Sequence, residues 1–189
     1  MSAATAAVNL LSGDQFYDLP EEDGYQFELI EGVMHRMPGS GARHTGVGAR
    51  CLRFVGFFAD ENDLGIVSGA DGGFFIERDP DTILIPDVSF MRKDRIPADG
   101  VPIRFWPVPP DLAVEVVSPS DRPRKIAAKV VLYQRAGVPL VWVIYPDTRS
   151  AIAHPLGHPP IELGPEDMLD GGDVLPGFRM PLVDLYRGF

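Results

Sequence analysis

The stretch from Ile85 to Tyr145 decides how this chain folds. It contains three apolar segments: Ile-Pro-Asp-Val-Ser-Phe at 85–90, Asp-Leu-Ala-Val-Glu-Val-Val-Ser-Pro-Ser at 111–120 and Val-Trp-Val-Ile-Tyr at 141–145. Between the last two segments, over residues 122–136, apolar residues recur at helical spacing. A strand, a helix and a strand in this order predict a βαβ crossover in which the two outer strands are parallel.

Two acidic residues, Asp87 and Glu115, lie inside these strand-like segments. Burying a carboxylate among Val, Ile and Phe is costly unless its charge is offset. A divalent cation would offset it, because Mg²⁺ prefers carboxylate and carbonyl oxygens as ligands. Asp87, Glu115 and the backbone carbonyl of Val116 are therefore predicted metal ligands. Lys129, on the helix that follows, is predicted to orient a water molecule or to stabilise charge on a transferred phosphoryl group.

Each of the two acids also has a simpler structural explanation. Asp87 would cap a turn beside Pro86, and Glu115 would pair with a buried arginine. We prefer these explanations for either acid taken singly. Because two acids occur together and a basic helix follows them, we prefer the metal-dependent site for the pair.

The composition is that of one soluble domain. The chain has 189 residues, of which 45% are hydrophobic, enough for a sizeable core. The single cysteine, Cys51, excludes an intramolecular disulfide, and its apolar neighbours predict a buried thiol rather than a nucleophile. The N-terminus lacks the basic region of a signal peptide, and no segment is apolar enough to span a membrane. We therefore expect a cytoplasmic protein with no membrane partner.

The formal net charge of −10 argues against a nucleic-acid partner, because phosphate binding needs a cationic surface. The charge is unevenly distributed, however. Residues 118–135 contain five basic residues and one acidic residue, a local charge of +4. Since this segment follows directly after Glu115, the predicted site has a basic neighbourhood.

The rest of the chain predicts further elements of the same α/β domain. In chain order they are a loose tail, a short helix near 13–19, a hairpin at 25–37 that turns at Glu31-Gly32, a helix at 42–60, strands at 64–68, 73–77 and 82–90, and a return strand at 148–154. Pro86 makes the 82–90 strand irregular or places it at an edge. Residues 92–110 are predicted to form a long loop that covers the site as a flap. We divide the chain into a tail with a short helix at 1–24 and a single domain at 25–189.

Several short motifs in this chain, taken together, resemble those of a known family. They are Phe27-Glu-Leu-Ile-Glu-Gly32, His44, Pro86-Asp-Val88, Val114-Glu-Val-Val-Ser-Pro-Ser120, Lys129 with Tyr133, Gly137-Val138 and Val174-Leu-Pro-Gly-Phe178. The combination resembles the bacterial restriction-endonuclease-like family within the PD-(D/E)XK nuclease superfamily, over about residues 25–189. The resemblance implies an α/β restriction-endonuclease-like core, in which a mixed β-sheet is flanked by helices.

The resemblance also implies a function and a site. The protein would be an endonuclease that depends on Mg²⁺ or Mn²⁺ and hydrolyses phosphodiester bonds of DNA. Asp87 and Glu115 match the two acids of the superfamily. The superfamily's lysine usually stands two residues after the second acid, where this chain has Val117. The resemblance therefore assigns the role of that lysine to Lys129.

Glu28 and His44 match further positions that are frequent in the family, and we expect them to assist at the rim of the site. Two residues depart from the family pattern: Lys125 stands where relatives often have an acid, and Tyr145 where they often have Asp before the proline. A competing hypothesis is a catalytically inactive nuclease-fold module for binding or assembly, which the acidity of the chain and the missing lysine at position 117 support. A homodimer is expected by analogy with two-fold symmetric nucleases.

Overall fold

The computed structural model describes residues 10–20, 22 and 25–189, so the predicted loose tail lies outside the described residues. The helices are α1 Gly13–Tyr17, α2 Ala42–Glu61, α3 Pro123–Arg135 and α4 Leu182–Leu185, with a 3-10 turn at Lys93–Arg95. The strands are β1 Tyr25–Ile30, β2 Val33–Pro38, β3 Gly65–Gly69, β4 Phe74–Glu77, β5 Thr82–Leu84, β6 Val88–Arg92, β7 Leu112–Val116, β8 Leu140–Tyr145, β9 Ser150–Pro155, β10 Ile161–Leu163, β11 Met168–Asp170 and β12 Arg179–Pro181. Among the described helices, none has the length and apolarity needed to cross a lipid bilayer.

A six-stranded mixed sheet forms the centre of the fold, in the order β10-β9-β8-β7-β6-β3. The parallel pair in this sheet is β7 and β8, with Leu112 opposite Leu140 and Val116 opposite Ile144. Helix α3 connects these two strands, so the predicted βαβ crossover is confirmed. The neighbouring pairs are antiparallel.

Strand β7 contributes side chains to two separate cores, one on each face of the sheet. Val114 and Val116 join the core that contains the buried face of α2, whereas Ala113 joins the core that contains the buried face of α3. Because side chains alternate along a strand, Glu115 lies on the same face as Ala113. This acid therefore faces the helix that carries Lys129.

A second sheet of four strands has the order β2-β1-β5-β4. Strands β1 and β2 form the predicted hairpin, in which Ile30 lies opposite Val33. The turn residues Glu31 and Gly32 have φ angles of 50° and 74°, in the left-handed region that glycine adopts without strain. The hairpin prediction is confirmed, and the second sheet brings Glu28 of β1 into the molecule's interior.

Pro86 divides the predicted strand at 82–90 into two strands that belong to different sheets. Strand β5 pairs with β1 and β4, whereas β6 pairs with β3 and β7. Because proline has no N–H to donate to a strand ladder, the chain leaves one sheet and joins the other over residues 85–87. The predicted irregularity is confirmed, but the single continuous strand is wrong. Asp87 consequently lies at the junction between the two sheets.

The predicted flap at residues 92–110 is also wrong. The Phe105 ring stacks on Phe16 of α1, with 5.7 Å between the ring centroids, and Trp106 stacks on Phe74 at 6.0 Å. The Trp106 N–H donates to the Gly73 carbonyl and the Trp106 carbonyl accepts the Phe75 N–H, and these bonds hold the segment against β4. These contacts fix the loop on the second sheet, and the cleft described below is lined by other parts of the chain.

Replacing Gly65 by alanine is expected to destabilise the fold by at least about 2 kcal/mol. Gly65 begins β3 with a φ of +155°, and an added Cβ would lie 2.0 Å from the Met91 carbonyl oxygen. The matched control is Gly56→Ala in α2, where an added Cβ meets no atom within 4 Å. That variant is expected to gain about 0.5–1 kcal/mol, because alanine favours a helix more than glycine does. Urea denaturation of both variants measures the difference, and equal effects would contradict the prediction.

Candidate active site

All six residues predicted for the site line a single cleft: Glu28, His44, Asp87, Glu115, Val116 and Lys129. They come from β1, the first turn of α2, the junction between the sheets, β7 and α3. Two serines, an acid and a second lysine also line it: Ser118, Ser120, Asp121 and Lys125. The fold therefore brings together residues that are spread over more than half of the sequence.

A lysine between two carboxylates forms the floor of the cleft. The Lys129 Nζ donates to Glu115 Oε2 at 2.6 Å and lies 2.9 Å from Glu28 Oε1. Only 10% of the Lys129 side chain and 6% of each glutamate side chain are exposed. The Tyr133 hydroxyl donates to Glu115 Oε1 at 2.8 Å. The partner of Glu115 is therefore a lysine and not an arginine, and the predicted position of Glu28 at the rim is wrong.

Burial and charge set the protonation states of these groups. Burial alone would lower the pKa of Lys129, but the Glu115 and Glu28 carboxylates raise it on balance, so the side chain remains an ammonium group. Burial raises the pKa of Glu115 to about 7; Lys129 opposes this rise, whereas Asp87 and Glu28 add to it. Burial and the two glutamates raise the pKa of Tyr133, so its hydroxyl keeps the proton that it donates.

Asp87 links the junction between the sheets to β7 and α2. Its Oδ2 accepts the backbone N–H of Val116 at 2.7 Å and lies 3.3 Å from His44 Nε2. Asp87 thus bonds to the neighbouring strand β7. The alternative explanation predicted instead that Asp87 caps a turn beside Pro86. Burial would lower the pKa of His44, but Asp87, with further contributions from Asp121 and the Val116 carbonyl, raises it on balance. The Nδ1 of His44 is buried without a hydrogen-bond partner among the described residues.

The oxygen atoms of the cleft are of the kind that a hard divalent cation prefers. Asp87 and Glu115 supply carboxylates and Val116 supplies a backbone carbonyl. In the part of the chain that the structure describes, no three His, Cys, Asp or Glu side chains are arranged to hold a metal ion. Both oxygens of Glu115 already accept a hydrogen bond, from Lys129 and from Tyr133. Because each carboxylate oxygen keeps further lone-pair capacity, the donor set still fits a cation in kind.

Sequence reasoning missed two side chains as site residues: Lys125, which lines the cleft, and the buried Tyr133, whose hydroxyl donates to Glu115. Lys125 lies four residues before Lys129 in the sequence, and Tyr133 lies four residues after it. Residues four apart on a helix share a face, so this spacing is the signal that could have assigned them to the site. The sequence motifs include Tyr133 only beside Lys129, without a role of its own, and Lys125 only as a departure from the family pattern.

Cys51 agrees with the prediction of a buried structural thiol. Its side chain lies in the core beneath α2 and is fully buried. Burial raises the pKa of this thiol to about 12, with a further contribution from Asp87. Because the thiolate is the reactive form, Cys51 is not suited to act as a nucleophile.

A protein-family model described as "Uma2: Putative restriction endonuclease" matches residues 14–183 of this chain. Among solved structures, the fold is similar to the crystal structure of a "putative nuclease belonging to DUF820 from Anabaena variabilis ATCC 29413", with a TM-score of 0.81 and 19% sequence identity. The similarity covers 94% of this chain and 98% of that chain. At this identity it bears on the fold alone, and it confirms the predicted α/β core with a mixed sheet flanked by helices. The search of curated proteins returned no match.

Proposed function

This chain belongs to the Uma2 family of restriction-endonuclease-like proteins, and we propose that it is an endonuclease that depends on Mg²⁺ or Mn²⁺ and hydrolyses phosphodiester bonds of DNA. The observation that carries the proposal is the contact of Lys129 with Glu115 in a cleft that Asp87 also lines. Two acids and a lysine in one cleft are the groups that metal-assisted hydrolysis of a phosphodiester uses.

Asp87, Glu115 and the Val116 carbonyl would hold the cation. When bound, it would polarise a phosphoryl oxygen and make an attacking water more acidic. The Val116 N–H fixes the Asp87 carboxylate at 2.7 Å, so the side chain and the Val116 backbone are already positioned together. Burial raises the pKa of Glu115 to about 7, and a positive charge beside this carboxyl would favour its ionised form.

Lys129 is suited to contact the substrate because, within the described residues, its partners occupy two of its three donors. An ammonium group has three N–H donors, and two of them point to Glu115 and Glu28. The third can hold the attacking water or offset negative charge on the phosphoryl group. Glu28 is a positioning residue for this lysine, and its Oε1 is itself held by the backbone N–H of Ile85 at 3.2 Å.

His44 is suited to orient Asp87, the acid that would hold the cation. Its side chain is 11% exposed, and its Nε2 lies beside Asp87. Although burial would lower the pKa of His44, Asp87 raises it on balance, which favours the protonated imidazole. A protonated ring has an N–H at Nε2 and a positive charge, both of which strengthen its contact with the Asp87 carboxylate.

A second candidate function is a catalytically inactive module that binds or assembles with other molecules. Both oxygens of Glu115 already accept hydrogen bonds, from Lys129 and from Tyr133, and this observation favours the inactive module. In the described residues, moreover, no three His, Cys, Asp or Glu side chains are arranged to hold a metal ion. The net charge of −10 favours this module as well. A homodimer and a cytoplasmic location stay predictions under either function.

A plasmid-nicking assay decides between the two functions. We expect the wild-type protein to convert supercoiled plasmid to nicked or linear DNA in Mg²⁺ or Mn²⁺, and EDTA to abolish the reaction. Replacing Asp87 by Ala or Asn is expected to slow cleavage by at least about 100-fold, because loss of a metal ligand removes several kcal/mol of transition-state stabilisation. The Asn variant retains an oxygen that can accept the Val116 N–H.

The matched control for the assay is Asp147→Ala, which removes an exposed acid whose partner is Arg43. That variant is expected to cleave like the wild type. If the wild type fails to cleave any of several DNA substrates, the enzyme hypothesis is wrong. Equal cleavage by the wild type and the Asp87 variants would also reject it.

A further inference from the structure

We propose that Lys125 binds a DNA phosphate next to the one that is cleaved, and that this contact allows an otherwise acidic cleft to accept a polyanion. The inference rests on the proposed DNA substrate and names a residue that contacts it. It follows from the charge of the cleft, the position of Lys125 on α3 and the surroundings of its side chain.

The charged side chains that line the cleft include more acids than bases. The acids are Glu28, Asp87, Glu115 and Asp121, and the bases are Lys125, Lys129 and His44. Lys129 is buried and already paired with two of the acids. A phosphate that approaches this cleft therefore meets net negative charge, which a cation at the mouth would reduce.

Lys125 is placed to supply that cation. It precedes Lys129 by four residues on α3, so the two side chains lie on the same face of the helix, about 6 Å apart along its axis. Lys129 is buried at the floor, whereas Lys125 is exposed. The structure shows ion pairs of Lys129 with two carboxylates, and shows none for Lys125 within the residues it describes. Its long side chain is free to reach a phosphate at the mouth of the cleft.

The loop before α3 adds neutral donors beside Lys125. The hydroxyl groups of Ser118 and Ser120 lie 2.8 Å apart and both line the cleft. The Asp121 carboxylate accepts the Ser118 backbone N–H at 2.7 Å, so it is bonded within its own loop. The first turn of α3 has no acidic residue that would repel an anion. Lys125 and two serine hydroxyls thus form one side of the cleft mouth whose groups can donate to a phosphate.

The test measures binding of a short fluorescein-labelled DNA duplex in EDTA, so that cleavage does not interfere. Fluorescence anisotropy gives the affinity of the full chain between about 50 and about 200 mM salt. Replacing Lys125 by Gln is expected to weaken binding roughly three- to tenfold at low salt. The slope of log affinity against log salt is expected to decrease in magnitude by about 1, because one phosphate contact is lost. Lys125→Arg, which keeps the charge, is expected to retain the slope of the wild type.

The matched control is Lys93→Gln, which removes the same charge from a surface lysine paired with Asp63 outside the cleft. It is expected to leave the slope unchanged. The inference is overturned if Lys125→Gln keeps the wild-type slope, if Lys93→Gln lowers it equally, or if the wild type does not bind the duplex. If the wild type binds the duplex but cleaves no DNA in the plasmid-nicking assay with Mg²⁺ or Mn²⁺, the proposed enzyme function is rejected, whereas the phosphate contact of Lys125 is retained.

Discussion

Replacing Lys129 by methionine is expected to destabilise the protein by about 3–5 kcal/mol at about pH 8, because it leaves two buried carboxylates without their cation. Glu115 and Glu28 are each 6% exposed, so water can replace little of the lost interaction. Methionine keeps the unbranched shape of the side chain, so the effect of charge is separated from the effect of a cavity. Urea denaturation at fixed pH measures the change.

The destabilisation is expected to be smaller at about pH 5, where protonation can neutralise a buried acid. Burial already raises the pKa of Glu115 from 4.5 to about 7, although Lys129 opposes this rise. Without Lys129 that pKa must rise further. A carboxyl with a raised pKa binds more protons in the folded state, so its favourable contribution is present below the unfolded pKa. That contribution is lost as the pH rises through the folded pKa.

Two comparisons make the Lys129 prediction specific. Lys93→Met removes an exposed lysine paired with Asp63 and is expected to change stability by no more than about 0.5 kcal/mol. Adding Glu115→Gln to Lys129→Met removes one of the uncompensated charges and is expected to recover part of the lost stability at about pH 8. The same loss at both pH values, or no loss at all, would show that Lys129 is not the counter-ion of this pair.

The βαβ unit could be predicted because its signals are local. Apolar runs of strand length surround residues 122–136, whose apolar side chains recur at helical spacing, and Gly137 ends the helix with a φ of +81°. The hairpin was predictable for the same reason, because Glu31-Gly32 supplies the turn between two strands that pair with each other. In both cases the residues that determine the element lie within it.

The division of residues 82–90 between two sheets could not be predicted in this way. A pattern of side chains that alternates every second residue indicates that a segment is extended, but it does not indicate which strand will be its neighbour. Here β5 pairs with β1, which is more than 50 residues earlier, and β6 pairs with β3 and β7. Such pairings depend on how the whole chain packs. Pro86 indicated only that the ladder is interrupted at that point.

The candidate site was predictable in its residues but not in its contacts. An acid inside an apolar strand requires a compensating partner, and this argument identifies Asp87 and Glu115 from sequence alone. It does not identify the partner, and a buried arginine was the partner predicted for Glu115 taken singly. The contact of Glu28 with Lys129 joins β1 of the four-stranded sheet to α3, the helix that connects β7 and β8 of the six-stranded sheet. No local pattern encodes such a contact.

Replacing Trp142 by alanine is expected to destabilise the protein by about 3–5 kcal/mol, because the change opens a large cavity in the main core. Trp142 of β8 is 0% exposed, and its ring stacks on Phe178 with 5.9 Å between the centroids. Leu175 and Leu182 belong to the same core cluster. Trp142 therefore connects the central sheet to the C-terminal segment. It is too deeply buried to stack on a nucleic-acid base.

The matched variant Trp142→Phe is expected to destabilise the protein by less than half as much as Trp142→Ala does. It keeps an aromatic ring against Phe178, and it removes an indole N–H that is buried without a hydrogen-bond partner among the described residues. Because the chain has two tryptophans, both variants leave Trp106 as the fluorescent reporter of urea denaturation. Equal losses of stability in the two variants would mean that ring packing on Phe178 does not hold the C-terminal segment. A cost below about 1 kcal/mol for alanine would contradict the cavity argument itself.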